Sequence, residues 1–179
     1  MRISRDALAA LEADVCARYL KSEEACGLLV GPADQPSVCD EVVPLVNLAN
    51  RMHELDSASY PRDGRTSFLF REQELDDRWL AGAELGRPVK VLYHSHLDSA
   101  ANFSAMDAAL LSRGSFAGRR PALGAGPKYP LTFLVVSVFG TSGVPVVREL
   151  CAYAWKGRAF AAAPFGTDLA GGTTPSGKL

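Results

Sequence analysis

Two apolar runs near the C-terminal end of the sequence constrain its fold more than any other feature. Residues 131–139 and 144–150 are rich in valine, leucine and phenylalanine, and Gly140-Thr141-Ser142-Gly143 separates them. β-Branched and aromatic residues favour strands, and a short glycine-containing connection is typical of a hairpin. The pattern therefore predicts two long antiparallel strands, with residues 152–155 continuing or following the second.

Helical and strand patterns alternate along the rest of the sequence. Helical patterns predict three helices: one that begins at Ser4, one over residues 72–85 and one over residues 104–113. Short apolar runs predict strands, which lie at residues 25–31, 38–46, 67–70 and 89–93. We expect one α/β domain over residues 1–163, in which the first two of these strands form a hairpin.

Two segments show neither pattern. Residues 47–65 are polar and contain many turn formers. They predict a long surface loop, a feature that often marks a functional region. Residues 164–179 are rich in glycine, threonine, serine and proline and have few large apolar groups, so composition predicts a C-terminal tail.

Charge and hydropathy argue against two classes of function. The chain has 19 lysines and arginines against 20 acidic residues, whereas nucleic-acid binding needs a basic excess. No apolar run reaches the roughly 18 residues of a membrane span, and charges interrupt the first twenty residues, unlike in a signal peptide. Four cysteines without Cys-x-x-Cys spacing are expected to be reduced thiols, in a cytoplasmic protein.

The strand predicted at residues 89–93 runs directly into two histidines, His94 and His96. Alternate residues of a strand point to the same face, so both imidazoles can reach one metal ion. Catalytic zinc takes three protein ligands and a water, and Asp107 is close enough in sequence to be the third. Two structural interpretations stay open: ordinary surface or core histidines, and a capping box formed by Ser104 and Asp107.

The spacing of these residues resembles a known signature. His94-Ser95-His96, seven further residues and Ser104-x-x-Asp107 match the pattern of the JAMM (MPN+) metalloproteases. Residues 22–31 resemble the upstream segment of that family and place Glu24 in the position of its glutamate, and residues 43–49 are also similar. The neighbouring Glu23 is the alternative, because only the register of this segment favours Glu24.

The resemblance implies a fold and a set of roles. The fold is a single JAB1/MPN domain, with a curved mixed β-sheet flanked by helices, similar to cytidine deaminases. His94, His96 and Asp107 would hold Zn²⁺, and Glu24 would act as general base and then as general acid. Ser104 would donate a hydrogen bond to the oxyanion that develops on the scissile carbonyl.

The chain looks like the standalone bacterial branch of the family. Members of that branch cleave small ubiquitin-like sulfur carrier proteins at the amide bond that follows the carrier's C-terminal Gly-Gly. One possible product is free cysteine that was built on the carrier. Leu97 and Phe103 stand where the family usually has proline, and Ser22 also replaces a frequent proline. Leu97 and Phe103 are therefore candidate substrate contacts, and Asn47 is a third candidate. The alternatives are a broader isopeptidase or peptidoglycan endopeptidase, and a non-catalytic scaffold.

Overall fold

Strands and helices alternate along the chain in the computed structural model, which describes residues 1–115, 121–141 and 143–168. The strands are β1 (Arg2–Ser4), β2 (Cys26–Val30), β3 (Val38–Cys39), β4 (Glu41–Leu45), β5 (Val89–Leu97), β6 (Thr132–Thr141), β7 (Val144–Trp155), β8 (Phe160–Ala163) and β9 (Gly166–Asp168). The helices are α1 (Arg5–Tyr19), α2 (Ala49–Leu55), α3 (Glu72–Glu84) and α4 (Ala105–Leu111). Within these ranges, no helix is long and apolar enough to cross a bilayer.

Six of the strands form a mixed sheet in the order β4-β2-β5-β6-β7-β8. β5 and β6 are parallel, and every other neighbouring pair is antiparallel. The predicted β6–β7 hairpin is confirmed. The predicted strand at residues 38–46 is divided: β4 pairs with β2 as expected, whereas β3 pairs with β1 instead. β5 is an interior strand, because β2 and β6 pair with its two backbone edges and a core packs on each face of the sheet.

Helices cover both faces of this sheet, as an α/β domain requires. Ser4 caps α1 by accepting a hydrogen bond from the Ala7 amide at 3.2 Å, as predicted. The apolar stripe of α1, with Leu11 and Val15, packs on one face of the sheet. Leu75 of α3 and Leu111 of α4 belong to the core on the other face.

Residues 47–70 differ from their prediction. The expected surface loop contains the seven-residue helix α2, which is too short to show an amphipathic stripe. The expected strand at 67–70 has no ladder partner in the described chain. The Asn47 side chain and the Leu48 amide hold the Leu69 backbone instead, and Phe68 is buried like a core residue.

A second, three-stranded sheet was not predicted. β1 lies between β3 and β9 and is parallel to both. Residues 164–168 are therefore not a tail: Phe165 packs on the core and β9 completes this sheet. Strands of two or three residues carry too little periodicity to be seen in a sequence. Residues 169–179, the rest of the predicted tail, lie outside the described residues.

Candidate metal centre

β5 presents His94 and His96 on one face of the sheet and Ser95 on the other. The Ala25 amide donates to the Ser95 hydroxyl at 2.8 Å, so this serine ties β5 to the residue that precedes β2. His94 is fully buried, and its ring stacks on Phe68 with 4.5 Å between ring centroids. The prediction that the two imidazoles share a face is confirmed.

α4 brings the third candidate ligand to the histidines. Asp107 Oδ1 lies 3.6 Å from His94 Nε2, Asp107 Oδ2 lies 3.6 Å from His96 Nε2, and the two Nε2 atoms are 3.3 Å apart. Ligand atoms around a tetrahedral zinc ion, with bonds of about 2.0–2.1 Å, are separated by roughly 3.3–3.4 Å. The three side chains therefore have the right donor types and spacing to hold a metal ion.

The capping box at the start of α4 orients the Asp107 carboxylate. Ser104 Oγ accepts from the Asp107 amide at 3.1 Å, and Asp107 Oδ2 accepts from the Ser104 amide at 2.8 Å. The capping interpretation and the ligand interpretation are thus compatible. Because Ser104 Oγ uses a lone pair in the cap, its hydroxyl proton stays available for another acceptor.

Hydrogen bonds also set the protonation of this cluster. His96 Nδ1 donates to the Ala100 carbonyl at 2.9 Å, so Nε2 is the ring nitrogen that faces the site. Burial alone would lower the pKa of His96, but the hydrogen bonds to Asp107 and Ala100 raise it. Burial alone would raise the pKa of Asp107, yet the two histidines hold it well below its usual range. The carboxylate is therefore ionised, as a metal ligand must be.

Glu24 faces the same site from the residues before β2. Its carboxyl is buried, and burial raises its pKa to about 8, although the charge of His96 lowers it. Glu23 points elsewhere and forms an ion pair with Arg18 at 3.1 Å. Of the two neighbouring glutamates, the structure places Glu24 beside the histidines.

A cavity of about 220 Å³ lies beside the candidate metal ligands. Its lining includes Glu24, His96, Leu97, Ser104 and Asp107. Two cations that the sequence analysis missed, Arg62 and Arg65, also line it. In a polar segment without a strand or helix pattern, nothing in the sequence distinguishes such arginines from solvated ones.

Two of the three predicted substrate contacts do not line this cavity. Asn47 is not among the cavity-lining residues. Its Nδ2 donates to the carbonyls of Glu24 and Ser67, and its Oδ1 accepts from the amides of Ala49 and Leu69. Every hydrogen-bonding group of this buried side chain is used by the backbone. Asn47 is a structural clamp, and the prediction that it contacts substrate is not supported.

Phe103 also lies away from the cavity lining. Its ring packs against Phe133, Tyr153 and Phe160, with centroid distances of 5.9, 5.0 and 4.7 Å. Aromatic packing, rather than an exposed rim, explains an aromatic residue at this position. Leu97, by contrast, does line the cavity.

Replacing Asn47 with alanine should destabilise the protein by about 2–3 kcal/mol, because two buried carbonyls and two amides lose their partners. Chemical denaturation measures this change in the free energy of unfolding. The control is Asn102→Ala at an exposed position, which should change stability by less than about 0.5 kcal/mol. Equal effects of the two substitutions would contradict the clamp.

Glu24 should make the metal-free protein less stable as the pH rises. Its folded pKa, about 8, lies above the ordinary 4.5. Between these values the folded state keeps a proton that the unfolded state releases, so stability falls with increasing pH. Glu24→Gln should therefore stabilise the chelator-treated protein by about 4 kcal/mol near pH 8 and by less than about 0.5 kcal/mol near pH 4.5. Unfolding curves at both pH values test this, and an equal gain at both would contradict it.

Comparisons with known proteins agree with this architecture. Residues 4–145 match the family model described as prokaryotic homologs of the JAB domain. A protein of Desulfitobacterium hafniense, solved in solution, superposes with a TM-score of 0.61 at 20% identity, covering 93% of this chain and 92% of that one. No curated protein matches the sequence significantly.

Two further structures are similar to the chain. A protein from Salinibacter ruber, also solved in solution, has a TM-score of 0.54 and 20% identity, covering 98% of this chain and 97% of that one. The crystal structure of a JAB1/MPN domain protein from Archaeoglobus fulgidus has a TM-score of 0.46 and 18% identity, covering 93% and 98%. At these identities, the superpositions with TM-scores above 0.5 support the fold alone.

Proposed function

Because the chain belongs to the family of prokaryotic JAB-domain proteins, we propose that it is a zinc-dependent peptidase that hydrolyses an amide bond. The observation that carries this proposal is the joint position of three metal-binding groups and a buried carboxyl. His94, His96 and Asp107 supply the donor set of a catalytic zinc site, and Glu24 lines the cavity that His96 and Asp107 also line. A non-catalytic scaffold has no need of this arrangement.

The proposed roles follow from the surroundings of each side chain. When bound, a zinc ion supplies a Lewis acid that activates water and polarises a carbonyl. Glu24 accepts the proton that the attacking water loses and then gives it to the leaving amine. Burial raises the pKa of this carboxyl in the metal-free protein, and the positive charge of a bound metal ion would lower it again, which favours the ionised form that accepts the proton. Ser104 donates its free hydroxyl proton to the oxyanion that develops on the carbonyl.

We propose that the substrate is a small ubiquitin-like sulfur carrier, cut after its C-terminal Gly-Gly. The motif resemblance suggests this class, and the dimensions of the site support it. A cavity of about 220 Å³ accepts a chain without side chains more readily than a bulky one. Glycine lets the backbone approach the buried ligands closely, while Leu97 offers apolar contact at the cavity.

A folded carrier should be cleaved much faster than a short peptide with the same C-terminal sequence. Contacts distant from the scissile bond contribute binding energy that the peptide lacks. Candidate carriers extended beyond Gly-Gly, and the matching free peptides, can be incubated with zinc-loaded protein and the products identified by mass spectrometry. Equal turnover of carrier and peptide would instead favour a broader peptidase.

A further inference from the structure

Arg62 and Arg65 belong to a segment that is held firmly beside Glu24. The Gly64 carbonyl accepts a hydrogen bond from the Glu24 amide at 2.6 Å, and the Gly64 amide donates to Asn50 Oδ1 at 2.7 Å. Gly64 is buried against Asn50, where an added Cβ would lie only 2.9–3.0 Å from the side chain. These contacts attach the short arginine-bearing segment to the residue that we propose as the general base.

The two arginines differ in how their charge is compensated. Arg65 Nη2 pairs with Asp98 Oδ2 at 2.9 Å, and Asp98 also accepts hydrogen bonds from the Tyr19 hydroxyl and the Gly140 amide. Arg62 Nη1 donates to the Thr66 carbonyl at 3.1 Å. Among the described residues, no carboxylate lies within ion-pair distance of Arg62. Arg62 is exposed to solvent, and most of its five N–H donors are available at the cavity that it helps to line.

The position of Arg62 relative to Glu24 indicates which part of a substrate it meets. Both line the cavity, and the charge of Arg62 is one of those acting on the Glu24 carboxyl. In the proposed reaction Glu24 delivers a proton to the leaving amine, so a cation that lines the cavity with Glu24 is suited to bind a group attached to that amine. In an α-amino acid, the carboxylate is only two bonds from that nitrogen. A guanidinium is well shaped to bind such a carboxylate through two parallel hydrogen bonds.

We propose that Arg62 binds the carboxylate of the leaving group, so that the substrates are amides whose leaving amine is a C-terminal amino acid with a free carboxylate. This inference rests on the proposed function. Water adds its oxygen to the scissile carbonyl carbon, the C–N bond breaks, and the amino acid leaves with a proton on its nitrogen. A lysine side chain inside a protein has no carboxylate at this place, so isopeptide bonds are the disfavoured class.

A binding measurement separates this inference from catalysis. The probes are the tripeptide Gly-Gly-Ala with a free carboxylate and the same tripeptide with a C-terminal amide. The protein is the zinc-loaded full chain with Glu24→Gln, which does not consume the probe. We expect the free carboxylate to bind about ten-fold more tightly than the amide. Adding Arg62→Gln should abolish this difference, while adding Arg51→Gln at an exposed position of α2 should leave it unchanged.

Two results would overturn the assignment of Arg62. One is a preference for the carboxylate that persists in the Arg62→Gln protein, since the carboxylate would then bind the metal ion or another group. The other is equal binding of the two probes, including undetectable binding of both at millimolar concentration. Cleavage of extended carriers by the wild-type protein is scored separately. If carriers are cleaved but the two tripeptides bind equally, only the role of Arg62 is rejected. If Arg62 is needed for tighter binding of the free carboxylate but no carrier is cleaved, carboxylate binding by Arg62 is supported and the proposed function is rejected.

Discussion

Glu24→Gln is expected to lower the rate of hydrolysis by roughly 10²–10⁴-fold while the protein still binds zinc. Glutamine keeps the size of the side chain but can neither accept the proton from water nor return it to the amine. The buried carboxyl is not one of the three clustered metal-binding groups, so the metal site should survive. Single-turnover rates on a cleaved carrier, together with the zinc content of the same preparation, measure both effects.

Glu23→Gln is the matched control for this experiment. Glu23 is the adjacent acidic residue, and its carboxylate pairs with Arg18 outside the metal cluster. Its substitution should change the rate by less than a few-fold. If Glu23→Gln were the inactive variant and Glu24→Gln kept full activity, the proposed general base would be wrong.

His96→Ala is expected to lower zinc affinity by more than about 100-fold and to abolish hydrolysis. Loss of a group that only supports a metal ligand commonly costs 10–100-fold in affinity, so loss of a direct ligand should cost more. His96 is also the partner of Asp107 Oδ2 at 3.6 Å and of the Ala100 carbonyl. Competition with a zinc chelator of known affinity measures the change.

The third histidine of the chain provides the control for that loss. His53 lies on α2, with its Nδ1 2.7 Å from the Tyr60 carbonyl, and is not part of the metal cluster. His53→Ala should therefore bind zinc as the wild type does. Equal zinc affinity of wild type, His53→Ala and His96→Ala would exclude His96 as a ligand.

Sequence patterns predicted those parts of the fold that repeat over many residues. The β6–β7 hairpin has two long apolar runs and a glycine-containing connection, α1 has apolar residues at helical spacing, and both elements are confirmed. The two-residue alternation of β5 likewise predicted that His94 and His96 share a face. The short elements α2, β1 and β9 repeat too few residues for such a signal, and they form because neighbouring segments supply their partners.

The surroundings of the candidate site were harder to predict, because they depend on contacts between distant residues. Nothing in the sequence distinguishes Asn47 from other polar loop residues, yet its side chain joins Glu24 to the segment before α3. From the sequence, Phe103 was expected to replace a proline at the exposed rim of the site. In the structure its ring packs against aromatic residues of β6 and β8. The position of Arg62 is another consequence of tertiary structure, since the Gly64 backbone holds its segment against Glu24.

Anomalous diffraction at the zinc absorption edge, from crystals of zinc-loaded wild-type protein, tests the metal centre most directly. We expect one strong peak, about 2.0–2.2 Å from His94 Nε2, His96 Nε2 and one oxygen of Asp107. A well-ordered zinc peak elsewhere, or no peak among these three side chains in fully loaded crystals, would contradict this expectation.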